Sequence, residues 1–452
     1  MIDAMDTFEF MGGVLRFNIW LLLLNSILLL ICVLEWYRMY KLKGIILDYK
    51  SGFYAIYIII PILIMYPFSG AYYNIISVGG DIIWIMEKVD IAYVISIIGV
   101  LFMMLGAKVT PILSVDNGVF ERIIKTNLEN HKFEKFIGIC SLFMLMGLLV
   151  ICYKYPAYIF NIRAIRFIEP SLGILINLIL SYAVTSLLIT LVLMVRKITF
   201  ERIVLLISVV LISLLMGNRM TLIMPVITIS SIYLMGRRKV RIYRFIIGVV
   251  MVAAVTILLS LLRSSTLDEY DTIYTQEPTL MFFAELLYGN TFSDLRDFAW
   301  VLTGFNDAFL YGKTYLAGIL GFIPSSMFEY RAIYGIGDIT NYYAGIQFDH
   351  FGLRTGVFGE SYINFGLPGV VITGFIVGNL LASTNKVLEK ILHEKMDIAY
   401  AYSRTFKLYA VSSCLMISAN LTVFYVFILI HIIGYVVCSK LIWRGNKTSV
   451  NS

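Results

Sequence analysis

Arg354-Thr-Gly-Val-Phe-Gly-Glu360-Ser-Tyr-Ile-Asn364-Phe-Gly366-Leu-Pro-Gly369 sets an arginine, a carboxylate, a phenol and an amide directly before an apolar run. That run, 366–384, carries no charge and is long enough to cross a bilayer as a helix, so the polar chemistry is delivered to a membrane. The same stretch closes the only long polar segment of the chain, 263–365, which holds Arg263, Arg296, Lys313, Arg331 and Arg354 among many acids, tyrosines, phenylalanines and glycines.

Outward from this stretch the chain is lipid-loving. Of its 452 residues, 60% are hydrophobic and 14% charged, with a mean hydropathy of +0.85; a water-soluble globule needs roughly a quarter charged residues. Apolar runs near 17–35, 52–69, 90–107, 136–153, 172–195, 203–216, 220–235, 245–262, 366–384, 405–421 and 422–440 predict eleven spans, at about 20 residues per crossing. The last two are close enough together that one long helix is the alternative. The expected fold is an all-α polytopic membrane protein: spans one to eight in 1–262, a large loop in 263–365, and spans nine to eleven with a tail in 366–452. Asp3, Asp6 and Glu9 make the N-terminus acidic, unlike the basic start of a cleaved signal, so the first run is expected to be retained. Cys32, Cys140, Cys152, Cys414 and Cys438 lie in or beside apolar runs and read as small core hydrophobes.

Charge sets the expected orientation. Lys and Arg collect in alternate connections, at 38–50, 108–135, 196–202, 237–244 and 386–407, and in the tail at Lys440, Arg444 and Lys447; together these hold 25 of the 36 basic residues. Cytoplasmic loops are enriched in Lys and Arg, which puts the N-terminus outside, the C-terminus in the cytoplasm and the large loop on the outer face. The net charge of +7 has this topological origin. Basic residues placed between spans give no nucleic-acid surface.

The run 203–216 has 14 residues, about 21 Å of helix, so Gly217-Asn218-Arg219 is expected below the outer surface. An arginine there either faces an anionic partner or snorkels to headgroups. Within the loop, Phe292, Leu295, Phe298, Leu302 and Phe305 recur at helical spacing, with Thr291 and Asp294 resembling a capping box; this predicts an amphipathic helix at the interface or against the bundle. The segment 315–324 reads as a short re-entrant or interfacial piece. Asp268-Glu-Tyr-Asp271 reads as solvated surface rather than a cation site.

No Walker A, HExxH, Gly-x-Ser-x-Gly or Cys/His metal spacing is present, and neither metal nor cofactor is expected. What remains is a set of outer-side arginines: Arg219, Arg263, Arg331 and Arg354. Guanidinium forks hold phosphate bidentately and stay charged, so they suit a lipid-linked diphosphate without a metal; Arg263, at a span exit, equally suits an anchor. Glu360 admits two readings, general base for a sugar hydroxyl or brace for Arg354. Tyr362 and Asn364 are candidate sugar-binding groups, and His350 is a third candidate base.

Gly217-Asn-Arg219 between apolar runs, Tyr311-Gly-Lys-Thr-Tyr with Phe322-Ile-Pro324, and Arg354-x-Gly-x-x-x-Glu360-x-Tyr-x-Asn-Phe-Gly366-x-x-Gly369 resemble the Wzy-type O-antigen and capsule repeat-unit polymerases. The resemblance covers the second half of the chain and the plan of many spans with one large outer loop. It implies a GT-C-like glycosyltransferase of the bacterial cytoplasmic membrane. The implied substrate is an undecaprenyl-diphosphate-linked oligosaccharide, and a growing glycan would be moved onto another lipid-linked repeat unit. Arg219 and Arg354 would then neutralise the diphosphate. A chain-length regulator is a further candidate partner. An O-antigen ligase shares the plan and the lipid donor; a flippase would need ionisable or broken helices near mid-membrane and repeat symmetry, which these nearly charge-free spans lack.

Overall fold

The computed structural model describes residues 5–10, 13–69, 82–109, 118–159, 162–217, 220–237, 292–323, 327–346, 352–394, 397–405 and 421–445, with scattered residues between 240 and 287. A short antiparallel hairpin, β1 (Met5–Phe10) and β2 (Gly13–Asn18), opens the described chain, a feature the all-α reading did not contain. Among the described residues, the regular structure after it is helical.

The first α-helices among the described residues are α1 (Ile19–Lys43), α2 (Tyr49–Tyr54), α3 (Ile82–Lys108), α4 (Gly118–Glu129), α5 (His131–Lys154), α6 (Ile165–Ile168), α7 (Gly173–Arg196) and α8 (Phe200–Leu215). Then come α9 (Met220–Gly236), α10 (Asp294–Gly304), α11 (Lys313–Ile319), α12 (Glu329–Tyr334), α13 (Ile336–Ala344), α14 (Gly356–Glu394) and α15 (Leu421–Gly445). Their starts follow the capping chemistry of the sequence. Asn18, Asn130 and Thr199 each accept a backbone N–H of the first turn, two or three residues on. α2 runs on as a wider-wound segment, Ala55–Ile64, around Pro61.

Among the described residues, five helices are long and apolar enough to cross a membrane, α1, α5 and α14 included, and three shorter apolar helices accompany them. α5 shows why a bilayer is needed: Ile139, Leu142, Phe143, Met146, Leu149 and Val150 form one helical stripe, and each is more than half exposed. In water such a stripe is an aggregation surface; against acyl chains it is solvated. α1 presents Leu23, Ile27, Leu30 and Leu34 in the same way. α7 is the opposite case. Buried nearly all round from Ser181 to Leu193, it packs with α5, α8, α9 and α15, and Ser186 and Thr190 return their hydroxyl hydrogens to carbonyls four residues back. The expected spans at 245–262 and 405–421 lie almost wholly outside the described residues. The four described cysteines, Cys32, Cys140, Cys152 and Cys438, are free.

The second packing centre positions the site. α3 and α14 lie so close that a Cβ on Gly378 would fall 1.9 Å from the Met103 carbonyl oxygen, which is the small-residue contact membrane helices use. α10 lies on α3 as well, and it is buried on every side rather than lying at an interface.

Charged pairs join the basic connections at 38–50, 108–135, 196–202 and 386–407 to one another. Lys43 meets Glu389 at 2.8 Å, Arg404 meets Glu121 at 2.7 Å, and Arg202 pairs with Glu134.

Candidate active site

The apolar run at 366–384 is not where its helix begins. Helical backbone starts at Gly356 and breaks at Gly366, whose φ of 65° and ψ of −156° are open only to glycine. Across that break the Ser361 hydroxyl donates to the Thr373 hydroxyl at 2.9 Å. Residues twelve apart on a straight helix would be separated by about 18 Å, so the short arm, 356–365, folds back along the first turns of the long arm, 367–394. Both arms reach the same glycine of α3: a Cβ on Gly99 would meet the Phe358 ring, and Gly374 crowds the Gly99 carbonyl. Glu360 is thereby carried down beside the span, with a side chain 1% exposed.

A buried carboxylate needs donors, and 311–315 supplies them. Thr314 donates its hydroxyl hydrogen to Glu360 Oε1 at 2.8 Å, and Asn364 Nδ2 donates to Thr314 Oγ1 at 2.7 Å. Asn364 Oδ1 accepts the Gly312 N–H at 3.0 Å, and its backbone carbonyl accepts from Tyr311 at 2.9 Å. Tyr315 shares a hydrogen bond with Ser361 at 2.9 Å and stacks on Phe365; burial, reinforced by the Glu360 charge, pushes its phenol up. Asn364 is thus held within this bracket. Tyr362 points into an aromatic cluster with Phe298, Phe305 and Phe309.

A second cluster stands where the short arm and α10 both begin. Asp294 packs on Gly356 and lies 3.9 Å from Arg354 Nε, whose side chain is 39% exposed. Asp297 is engaged on all sides: it accepts Ser293 Oγ at 2.7 Å, the Arg354 backbone N–H at 3.3 Å and Arg296 Nη2 at 3.3 Å. Two helix N-termini meeting here favour negative charge. Burial still pushes the Asp294 carboxyl up to about 6, with Arg354 lowering it and Asp297 raising it further.

The third cluster joins the connection before α7 to the large loop. Arg166 and Arg331 both act on Asp338, whose carboxyl is raised by burial and drawn back by the two guanidiniums. Burial lowers Arg166 to about 10 and also lowers Arg331, which donates to the Ile323 carbonyl. Leu353 N–H donates to Thr340 Oγ1 at 3.0 Å, tying the start of α13, which bears Asp338, to the segment bearing Arg354.

Of the residues picked from sequence, Arg331, Arg354, Glu360, Tyr362 and Asn364 converge on this region. Arg219, Arg263, His350 and the acidic run at 268–271 lie outside the described residues. Thr291 does too, so the expected capping box is visible only through Asp294, which faces Arg354. Sequence reasoning passed over Asp294, Arg296, Asp297, Thr314, Arg166 and Asp338 as site residues. The available signal was charge inside an otherwise apolar helix, Asp294-Leu-Arg-Asp297. No family model, curated protein or solved structure matches the chain.

Proposed function

We propose that the chain is a lipid-linked repeat-unit polymerase of the Wzy type. Its setting would be the bacterial cytoplasmic membrane, with about eleven spans in a GT-C-like plan, N-terminus and large loop outside, C-terminus in the cytoplasm. The observation that carries this reading is the bonding of Tyr311–Tyr315 to Glu360–Asn364, two of the motifs on which the resemblance rests, into one bracket with Thr314, Glu360 and Asn364 buried, beside the exposed Arg354. The joining of the basic connections to one another by charged pairs supports the orientation.

In this reading an acceptor sugar hydroxyl attacks the anomeric carbon of a glycan carried on undecaprenyl diphosphate. The new glycosidic C–O bond forms as the bond from that carbon to the diphosphate oxygen breaks, and the lipid diphosphate leaves with the electron pair. Arg354 neutralises the charge on the leaving diphosphate, and Arg219 is assigned the same role from the sequence. Purified protein in nanodiscs, given lipid-linked repeat units from cells lacking the gene, is expected to release undecaprenyl diphosphate and make longer glycans that stay lipid-linked. Release of the lipid only when a different acceptor is supplied would favour a ligase instead, and no release with any acceptor would refute both.

A further inference from the structure

The polymerase reading leaves the destination of the acceptor's proton open, and Glu360 is badly placed to take it. Its carboxylate is buried and already serves as the acceptor of the Thr314 hydroxyl within the bracket that holds 311–315 to the short arm. Asp297 is equally committed, to Ser293, Arg296 and the Arg354 backbone. Asp294 differs from both. Among the described residues its carboxylate makes no hydrogen bond; its one ion pair is with Arg354 at 3.9 Å, and its side chain is 18% exposed beside that 39%-exposed arginine.

Resting on the polymerase reading, we infer that Asp294 is the general base of the transfer and that Glu360 is the positioning residue that braces the bracket. The acceptor O–H bond breaks as its oxygen bonds the anomeric carbon. The proton passes to the Asp294 carboxylate, and the electron pair of the broken glycosyl–diphosphate bond leaves with the lipid diphosphate. The Arg354–Asp294 pair times the step. A diphosphate that engages the Arg354 guanidinium removes the attraction that stabilises the Asp294 carboxylate and adds negative charge beside it, so the carboxylate becomes a stronger base as the donor binds.

The ordinary titration of Asp294 supports the role, since burial has moved it to about 6, inside the range useful to a base working near neutrality. The charges acting on it are Arg354 and Asp297. α10 packs against α3, α13, the short arm of α14 and the Ala55–Ile64 segment; of their charged groups on that side, Asp90 of α3 is engaged by Tyr66, Asp338 of α13 by Arg166 and Arg331, and Glu360 of the short arm by Thr314.

The test is transfer by the nanodisc-embedded protein with extracted lipid-linked repeat units, measured as kcat and kcat/KM between pH 5 and 8. The acid limb of wild-type kcat/KM is expected to inflect near pH 6, a readout independent of any variant. Asp294→Asn is expected to lower kcat by about 10²–10⁴-fold and abolish that limb while still binding undecaprenyl diphosphate, Asp294→Glu to restore part of the rate, and Glu360→Gln to cost less than about tenfold with the limb intact. A flat wild-type profile, near-normal rates in Asp294→Asn, or loss of the acid limb in Glu360→Gln instead would overturn the assignment to Asp294. A wild-type protein that transfers nothing overturns the polymerase reading itself.

Discussion

Thr314 gives its hydroxyl hydrogen to Glu360 at 2.8 Å across 46 residues of chain, and that bond fastens the Tyr311–Tyr315 turn to a helical arm folded back beside a span. Removing the donor takes a partner from a buried carboxylate and leaves the Asn364 amide with only the Glu360 carbonyl as acceptor. Thr314→Val is expected to cost about 1–3 kcal/mol, the penalty for an unsatisfied buried polar group. Thermal unfolding in detergent, compared with Thr314→Ser, which keeps the hydroxyl and should stay close to wild type, reads it out.

The fold-back depends on Gly366. A Cβ there would sit 3.0 Å from the Phe309 ring, at a φ of 65° that L side chains adopt poorly. Gly366→Ala is expected to lose about 1–3 kcal/mol of stability and to shorten the glycan products. Unchanged melting and unchanged product length would mean that the arms tolerate another turn.

Asp294 makes stability depend on pH, with a definite sign. Its carboxyl is raised from the ordinary aspartate value to about 6 in the folded protein, so the folded state takes up a proton before the unfolded state does. The stabilisation is complete below about pH 4 and is lost as pH rises through 6. At pH 7–8 wild type therefore holds a costly charged carboxylate, and Asp294→Asn is expected to melt higher, by an order of 1–3 kcal/mol, the gain vanishing toward pH 4. A variant less stable than wild type at pH 8 would show that the ion pair with Arg354 outweighs burial.

Much of this architecture was legible in the apolar runs. α1, α5 and α7 fall where 17–35, 136–153 and 172–195 predicted spans, because about 20 charge-free residues in lipid have few alternatives to a helix. That 354–369 sets polar residue types directly against a span was legible too. The fold-back was not. Residues 356–365 contain Glu360 and Asn364, so no hydropathy pattern marks them as lying beside a span; their polar groups are satisfied by Thr314 and Gly312, about fifty residues away. Asp294 was hidden for the same reason, since its local spacing reads as helix capping and its partner, Arg354, comes sixty residues later. The hairpin at Met5–Asn18 left no signal beyond an acidic N-terminus.

Topology gives an independent check. Reporter fusions after residue 240 and at the C-terminus are expected to report cytoplasm, and a fusion at residue 300 the outer face, as the distribution of 25 of 36 basic residues implies. A cytoplasmic signal at 300 would remove Arg354 and Asp294 from the side on which lipid-linked repeat units are polymerised.

The most direct measurement is the length distribution of polysaccharide in cells whose only copy of the gene carries Arg354→Ala. The account predicts that glycans stop at a single repeat unit at normal protein levels, and that Arg354→Lys, which keeps the charge but loses the fork, restores only short chains. A full wild-type ladder from Arg354→Ala would contradict the claim that this arginine holds the diphosphate.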